Sequence, residues 1–256
     1  MIFETHAHYD DEKFENDREE LLNSLPGEGI GYVVNVGASL SSTKASLELA
    51  ERYDHVYAAV GVHPNETGEL TEENFQWLFE AADKPKVVAI GEIGLDYYWK
   101  EPKPAVQKKW FERQMELARE KKLPMIVHSR DAAKDTLDMI KVCDGGSIGG
   151  VIHCYSYSVE MAKTYLDMGF YLGIGGVVTF NNARKLQEVV AYMPLDRIVL
   201  ETDCPYLTPV PNRGKRNSSL NLKYVAEKIA EIRKISVEEV IEATYQNAKK
   251  MYGIGK

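Results

Sequence analysis

Six histidine and acidic residues each follow a short apolar run of the chain, where a buried strand would end. Imidazole and carboxylate groups together suit divalent transition metals, which accept nitrogen and oxygen ligands. Ligands that follow many different strands indicate one mouth of a parallel barrel, where the carboxyl ends of the strands meet. The sequence therefore predicts a metal site formed by His6, His8, Glu92, His128, His153 and Asp203.

The two histidines near the amino terminus, His6 and His8, are two positions apart on an extended segment, so both side chains face the same side. In a barrel that side is the lumen. Glu92 ends another apolar run, where a carboxylate is costly unless it is paired or bound to metal. A salt bridge with a lysine or arginine is the alternative for Glu92. Asp96, four residues farther on, is expected to belong to the following loop.

The last predicted strand ends in two acidic residues on one face, because Glu201 and Asp203 are two positions apart. Asp203 is nearer the mouth and is the predicted ligand, while Glu201 is expected to orient the ligands. Cys154 and Cys204 directly follow a predicted ligand and should point to the opposite face of the strand. Neither cysteine is therefore expected to bind metal.

Two features are candidates for substrate binding. His63 ends the third predicted strand and is interpreted as a substrate-contacting or proton-handling residue, with an ordinary hydrogen-bonded rim histidine as the alternative. The loop after Asp203 concentrates three cations, Arg213, Lys215 and Arg216, in an acidic protein. Its place beside the predicted metals favours phosphate binding over a merely solvated surface.

Aromatic residues also gather where the strands end, and exposed rings there would give unpaired bases a stacking surface. Some of these rings must instead pack in the core. Tyr97 and Tyr155 are the predicted substrate contacts. The group as a whole contains Tyr97, Tyr98, Trp99, Tyr155, Tyr157 and Tyr206.

Apolar runs alternate with amphipathic stretches along the whole chain, as expected of βα units around a parallel sheet. Strands are predicted near 2–6, 30–37, 56–62, 86–92, 124–128, 149–153, 170–175 and 197–202. Helices are predicted near 13–24, 41–53, 71–83, 104–122, 131–142, 158–168, 181–193 and 219–233. Eight such units predict an α/β fold, a TIM (β/α)8 barrel with the metal site at the carboxyl-terminal mouth of its strands. Ser236, with Glu239 three residues on, should cap one further helix.

Composition agrees with one domain over residues 1–256, since such barrels have about 250 residues and 44% of this chain is hydrophobic. The net charge of −8 should repel nucleic acid and acidic membranes, so an anionic substrate needs local cations or metal. Three cysteines without a C-x-x-C pair fit a reduced cytoplasm. The first residues lack a basic region and a long apolar stretch, so neither a signal peptide nor a membrane span is expected.

With these segments, the chain resembles the TatD family of metal-dependent deoxyribonucleases, within the amidohydrolase-like barrels, over essentially its full length. Glu4 departs from the aspartate that is common in the family before Thr-His, and Asn65, Tyr157 and Ser218 also differ. None of these is a predicted ligand. The resemblance rests on the segments Thr5–His8, Gly61–Pro64, Gly91–Tyr98, His128–Asp131, His153–Ser156, Glu201–Leu207 and Arg213–Asn217.

The resemblance implies a TIM-type barrel that binds two divalent ions, either Mg²⁺, Mn²⁺ or Zn²⁺. His6, His8 and Asp203 would hold one ion. His128 and His153 would hold the other, and Glu92 would bridge the two. Family members are typically 3′ to 5′ exonucleases that act on DNA ends.

The predicted function is a two-metal phosphodiesterase for single-stranded or frayed DNA ends, with Glu92 and Asp203 as catalytic residues and Asp203 as general base. One alternative is another hydrolase, of a cyclic amide, a lactone or aminoacyl-tRNA, because fold does not fix substrate. The basic loop favours DNA over a neutral small molecule. A second alternative is a non-catalytic metal-binding barrel. The sequence leaves the oligomeric state open, and a monomer is compatible with it.

Overall fold

The structure, a computed structural model, describes residues 1–255 and contains eight parallel strands that pair in chain order. The strand bounds are β1 Ile2–Ala7, β2 Ile30–Val36, β3 Val56–Val60, β4 Val87–Asp96, β5 Met125–Arg130, β6 Gly150–Ile152, β7 Tyr171–Ile174 and β8 Ile198–Leu200. Helices lie between the strands and the sheet curls into a barrel. The predicted TIM barrel is confirmed.

Ten α-helices are found in residues 1–255, two more than the eight βα units require. The four-residue helix Gly145–Ile148 was not predicted, because its sequence contains two glycines and no amphipathic repeat. The bounds of the ten α-helices are α1 Arg18–Ser24, α2 Leu40–Arg52, α3 Glu72–Ala81, α4 Pro104–Lys121, α5 Ala133–Val142, α6 Gly145–Ile148, α7 Val159–Asp167, α8 Arg184–Tyr192, α9 Leu222–Arg233 and α10 Val237–Tyr252. None of the helices described is long and apolar enough to cross a membrane.

The barrel closes where β1 meets β8. The Thr5 hydroxyl donates a hydrogen bond of 2.8 Å to the Leu200 carbonyl. Beyond β8, the amide of Asp203 donates to the His6 carbonyl at 3.0 Å, and the amide of His8 donates to the Cys204 carbonyl at 2.9 Å. The seam of the barrel therefore holds three predicted ligands side by side.

The additional helix predicted at Ser236 is α10, and the Ser236 hydroxyl accepts a hydrogen bond of 3.1 Å from the Glu239 amide. This helix packs across the amino-terminal end of the barrel, where Tyr252 and Met251 join Phe3 in one apolar cluster. The Tyr252 hydroxyl donates to the Thr5 carbonyl at 2.9 Å. One end of the barrel is thus covered, and the carboxyl ends of the strands face an open mouth.

Candidate metal centre

The six predicted ligands meet at this mouth, with Glu92 between the histidines. Glu92 Oε2 lies 3.3 Å from His6 Nε2 and 3.7 Å from His8 Nε2. Glu92 Oε1 lies 2.7 Å from His128 Nδ1 and 3.8 Å from His153 Nε2. The two oxygens of one carboxylate therefore face two different sets of imidazoles, which is the arrangement a bridging ligand needs.

The first set is compact. His6 Nε2 and His8 Nε2 are 3.1 Å apart, and Asp203 Oδ1 lies 3.4 Å from His8 Nε2 and 3.7 Å from His6 Nε2. Ligands bound at about 2.0–2.2 Å to one tetrahedral ion are roughly 3.3–3.6 Å apart. The spacing of these three side chains fits a single divalent ion.

Hydrogen bonds fix which ring nitrogen of two histidines is free. His8 Nδ1 lies 2.9 Å from the Val36 carbonyl, which can only accept, so Nδ1 carries the proton. His153 Nδ1 lies 3.1 Å from Glu201 Oε2, and Glu201 Oε1 accepts the Cys154 amide at 2.6 Å. In both histidines Nε2 is therefore the nitrogen that faces the centre and that a metal ion would bind. Glu201 has the orienting geometry expected from the sequence, with both oxygens already occupied.

His128 is held from the opposite side by Asp96, whose Oδ2 lies 3.1 Å from His128 Nε2. The expectation that Asp96 belongs to a loop is wrong. Asp96 is the last residue of β4, pairs with Arg130 on β5 and is buried. Because Nε2 donates to Asp96, Nδ1 of His128 is the nitrogen that faces Glu92.

His63 packs edge-on against His128, with ring centroids 4.3 Å apart, and its Nε2 lies 3.8 Å from Glu92 Oε1. Its Nδ1 accepts a hydrogen bond of 3.2 Å from the Asn65 amide, so Nε2 carries the proton. Although His63, Glu92 and His128 are close enough to share an ion, a protonated Nε2 is a donor and not a ligand. His63 therefore suits contact with an anionic oxygen.

His153 lies nearer the first set than the resemblance implies. Its ring stacks on His6 at 3.5 Å between centroids, whereas its centroid is 6.4 Å from that of His128. His153 Nε2 is 3.6 Å from Asp203 Oδ1 and 3.8 Å from Glu92 Oε1. The structure thus brings all six ligands together, while the pairing of His153 with His128 at a second ion stays a prediction.

The electrostatics favour cations. Burial would lower the pKa of His8, but the hydrogen bond and charge of Asp203 outweigh it and raise that pKa to about 9. Burial is likewise outweighed at His153, where Glu201 and Glu92 raise the pKa to about 10. Burial acts to raise the pKa of Asp203, but His8, His153 and His6 outweigh it and hold that pKa below its usual range. Asp203 is therefore a carboxylate. The centre attracts positive charge strongly, and a divalent ion would replace these protons.

At His63 no neighbouring group outweighs the effect of burial on the pKa. It lowers the pKa of His63 to about 3, and the neighbouring His128 acts in the same direction. His63 is therefore neutral at physiological pH, and its Nε2 proton remains available for donation.

Beneath the centre, Glu4 ties the two seam strands together. Its carboxyl oxygens accept hydrogen bonds from the His6 amide at 3.1 Å and from the Thr202 amide and hydroxyl at 2.9 and 2.7 Å. Burial raises the pKa of Glu4 to about 8. Glu4 thus fixes the backbone that carries His6 and Asp203.

Above the centre, a cavity of about 1030 Å³ opens at the mouth, at the upper end of the roughly 300–1,000 Å³ typical of ligand pockets. Cys154 lines this cavity, which corrects the expectation that it points away. Its φ of 45° turns the chain, so strand alternation does not apply there. Cys204 is buried in the cluster with Tyr9 and Phe14, away from the cavity as expected.

The two predicted aromatic contacts lie outside the cavity. Tyr155 is only 2% exposed, and its hydroxyl donates to the Ser158 carbonyl at 2.6 Å, so its predicted role in substrate binding is corrected to core packing. The Tyr97 hydroxyl donates to Asp135 at 2.8 Å, and its ring packs against the core. The rings that do line the cavity are Trp99, Tyr157 and Tyr206.

The basic loop also lies outside the cavity, which corrects the expectation that it lies beside the predicted metals. Arg216 pairs with Asp17 at 2.5 Å, and its guanidinium covers the Phe14 ring. Arg213 stacks on Phe180 at 3.7 Å, and Lys215 is exposed. The cation that lines the cavity is Arg130, two residues after His128. Arg130 was not predicted from the sequence, although it lies in the segment His128–Asp131 beside a predicted ligand.

A family model described as TatD related DNase matches residues 3–253. YabD of Bacillus subtilis, described as an uncharacterized metal-dependent hydrolase, is 44% identical over 99% of this chain and 100% of its own length. YcfH of Escherichia coli K12, with the same description, is 35% identical over 99% and 96% of the two chains. The crystal structure of YJJV, a TatD homologue from E. coli K12, superposes with a TM-score of 0.92 at 30% identity over 98% of each chain.

Proposed function

The chain belongs to the TatD family of metal-dependent hydrolases, and we propose that it hydrolyses phosphodiester bonds at the ends of single-stranded or frayed DNA. The observation that carries this proposal is the position of Glu92, whose two oxygens face two sets of imidazoles. Two metal ions held close together are common in enzymes that cleave phosphate esters, such as nucleases and phosphatases.

His6, His8 and Asp203 would hold one divalent ion and His128 and His153 a second, with Glu92 between them. Mg²⁺, Mn²⁺ and Zn²⁺ are the candidate ions. When bound, such ions activate water and stabilise negative charge on the phosphoryl oxygens.

The protein's own groups supply the proton transfers. Asp203 is the ligand side chain most open to the cavity, with 21% of its side chain exposed, and its low pKa keeps it ionised. It would accept the proton of the attacking water as general base. His63 is neutral and presents its Nε2 proton toward the same space, where it would donate to a phosphoryl oxygen.

The rim supports a nucleotide substrate. Trp99 is 55% exposed and Tyr206 is 46% exposed, and both line the cavity. Exposed rings of this kind stack on unpaired bases with a gain of about 1–3 kcal/mol per base. A duplex end would have to open before its bases could reach these rings.

One observation favours a second candidate, hydrolysis of a small amide or lactone. The cavity is lined by six carboxylates and a single arginine, so any polyanion depends on the bound cations. The basic loop no longer separates the two activities, because it lies outside the cavity. The carboxylates are Asp10, Asp11, Glu92, Asp96, Asp131 and Asp203.

The test is product analysis on end-labelled oligonucleotides, single-stranded and blunt, with Mg²⁺, Mn²⁺ and Zn²⁺ in turn. We expect stepwise shortening from the 3′ end, fastest on single strands. Asp203→Asn, purified identically, should be inactive, which excludes a contaminating nuclease. Intact DNA under all three metals would overturn the proposal, and turnover of cyclic amides or lactones by the same preparation would establish the second candidate.

A further inference from the structure

Arg130 is the one lysine or arginine among the residues that line the cavity within 1–255. It ends β5, and two positions before it is His128. Alternate residues of a strand share a face, so Arg130 lies on the side of His128, roughly 6.6 Å farther toward the opening. An anion at Arg130 would therefore be displaced outward from the metal centre by a distance of the order of one nucleotide.

The guanidinium of Arg130 is held in place without being neutralised. It lies 3.8 Å above the ring of Tyr98, which is itself exposed. Stacking of this kind orients the planar group and leaves its N–H edges free. Within residues 1–255, Arg130 forms no ion pair, although Asp131 follows it and Asp96 is its partner across the strands.

The contrast with Arg213 is informative. Arg213 also stacks on an aromatic ring, Phe180, at 3.7 Å and is also free of ion pairs in the described residues. It differs in lying outside the cavity. If replacing Arg130 and replacing Arg213 have different effects on substrate preference, the difference would thus reflect the position of the arginine and not its charge or stacking.

We propose that Arg130, oriented by Tyr98, forms a second phosphate subsite that binds the phosphate next to the scissile one. This inference rests on the proposed phosphodiesterase function. Arginine suits the role because its fork of donors matches two oxygens of a phosphate. Apart from the histidines of the metal centre, the other charged side chains on the cavity wall are carboxylates, which repel that phosphate.

The experiment compares three substrates: a dinucleoside monophosphate, and the same compound carrying one additional phosphate at its 5′ or its 3′ end. Wild type should prefer one of the two bisphosphates by about tenfold in kcat/KM, the effect of one charge-assisted contact at a partly exposed site. Arg130→Gln should reduce that preference to near unity, and Arg130→Lys should retain part of it. Arg213→Gln, the matched control, should keep the preference.

The possible failures separate. Cleavage of all three substrates at equal efficiency by wild type would overturn the subsite alone. A preference that survives in Arg130→Gln, or disappears in Arg213→Gln, would also overturn it. No cleavage of any of the three substrates with Mg²⁺, Mn²⁺ or Zn²⁺ would overturn the subsite, and the phosphodiesterase proposal would fall with it only if the end-labelled oligonucleotides also stay intact.

Discussion

Asp96 accepts a hydrogen bond from His128 Nε2 at 3.1 Å, and this contact turns the other ring nitrogen of His128 toward the metal centre. Asp96 is almost fully buried, and its other oxygen accepts the Tyr98 amide at 2.9 Å. A carboxylate in this position fixes the tautomer of a ligating histidine and increases its basicity. The same relation holds between Glu201 and His153.

Replacing Asp96 should therefore weaken metal binding without removing a ligand. We expect Asp96→Ala to lower the affinity for Mn²⁺ by about 10- to 100-fold, as is typical for such partners. Asp96→Asn should lose less, since its oxygen still accepts. The measurement is a metal titration of the chelator-treated protein. Asp131→Asn is the control, because this exposed carboxylate contacts no ligand and Asn tolerates its φ of 54°. Unchanged affinity in Asp96→Ala would refute the orienting role.

Glu92→Gln should separate a two-ion centre from a one-ion centre. The amide keeps the shape of Glu92 but removes the charge that lets two cations lie close together. We expect loss of at least one ion per chain by elemental analysis and a fall in activity on the order of 10² or more. His55→Gln, at the opposite end of the barrel, should leave both nearly unchanged. Two retained ions and near-native turnover would argue against a bridging Glu92.

Gly173→Ala should disturb the metal centre indirectly, by displacing Glu201. A Cβ at Gly173 would collide with the carboxylate of Glu201, which holds His153 and the Cys154 amide. We expect weaker metal binding and a lower melting temperature. Gly27→Ala is the control, because its Cβ would meet only the Ser24 carbonyl at an ordinary 3.5 Å. Native metal affinity in Gly173→Ala would show that Glu201 can move without consequence.

His55 should make stability depend on pH. Burial lowers the pKa of this half-buried imidazole below 6.5, and Lys86 acts in the same direction. The unfolded chain therefore binds the proton more readily, so stability is lost as pH falls through about 6.5. His55→Gln removes this contribution. Urea unfolding at pH 7.5 and pH 5 should show a smaller loss for the variant than for wild type, and parallel losses would contradict the assignment.

The residues that meet at the mouth could be predicted because a histidine or glutamate at the end of a buried strand is costly unless it is paired or bound to metal. Glu92 and His153 interrupt apolar runs, and such interruptions are visible in one dimension. The barrel followed from the same alternation of apolar runs and amphipathic helices.

The surroundings of the metal centre could not be predicted in the same way, because the exposure and pairing of these side chains depend on partners remote in sequence. Arg216 is neutralised by Asp17, 199 residues away, and no local pattern indicates that pair. Tyr155 follows a strand end as Trp99 does, yet one ring is buried and the other is exposed. Asp96 belongs to β4 only because β5 continues beside it.

The seam of the barrel also sets an order of events during synthesis. The hydrogen bond from Thr5 to Leu200 joins residues 195 positions apart, and the ligands His6 and Asp203 flank it. A ribosome adding about 5–20 residues per second needs roughly 10–40 s to cover that distance. His6 and His8 thus leave the ribosome long before Asp203, the third predicted ligand of the same ion. The centre is among the last parts of the molecule to form, and a nascent chain stopped before β8 cannot assemble it.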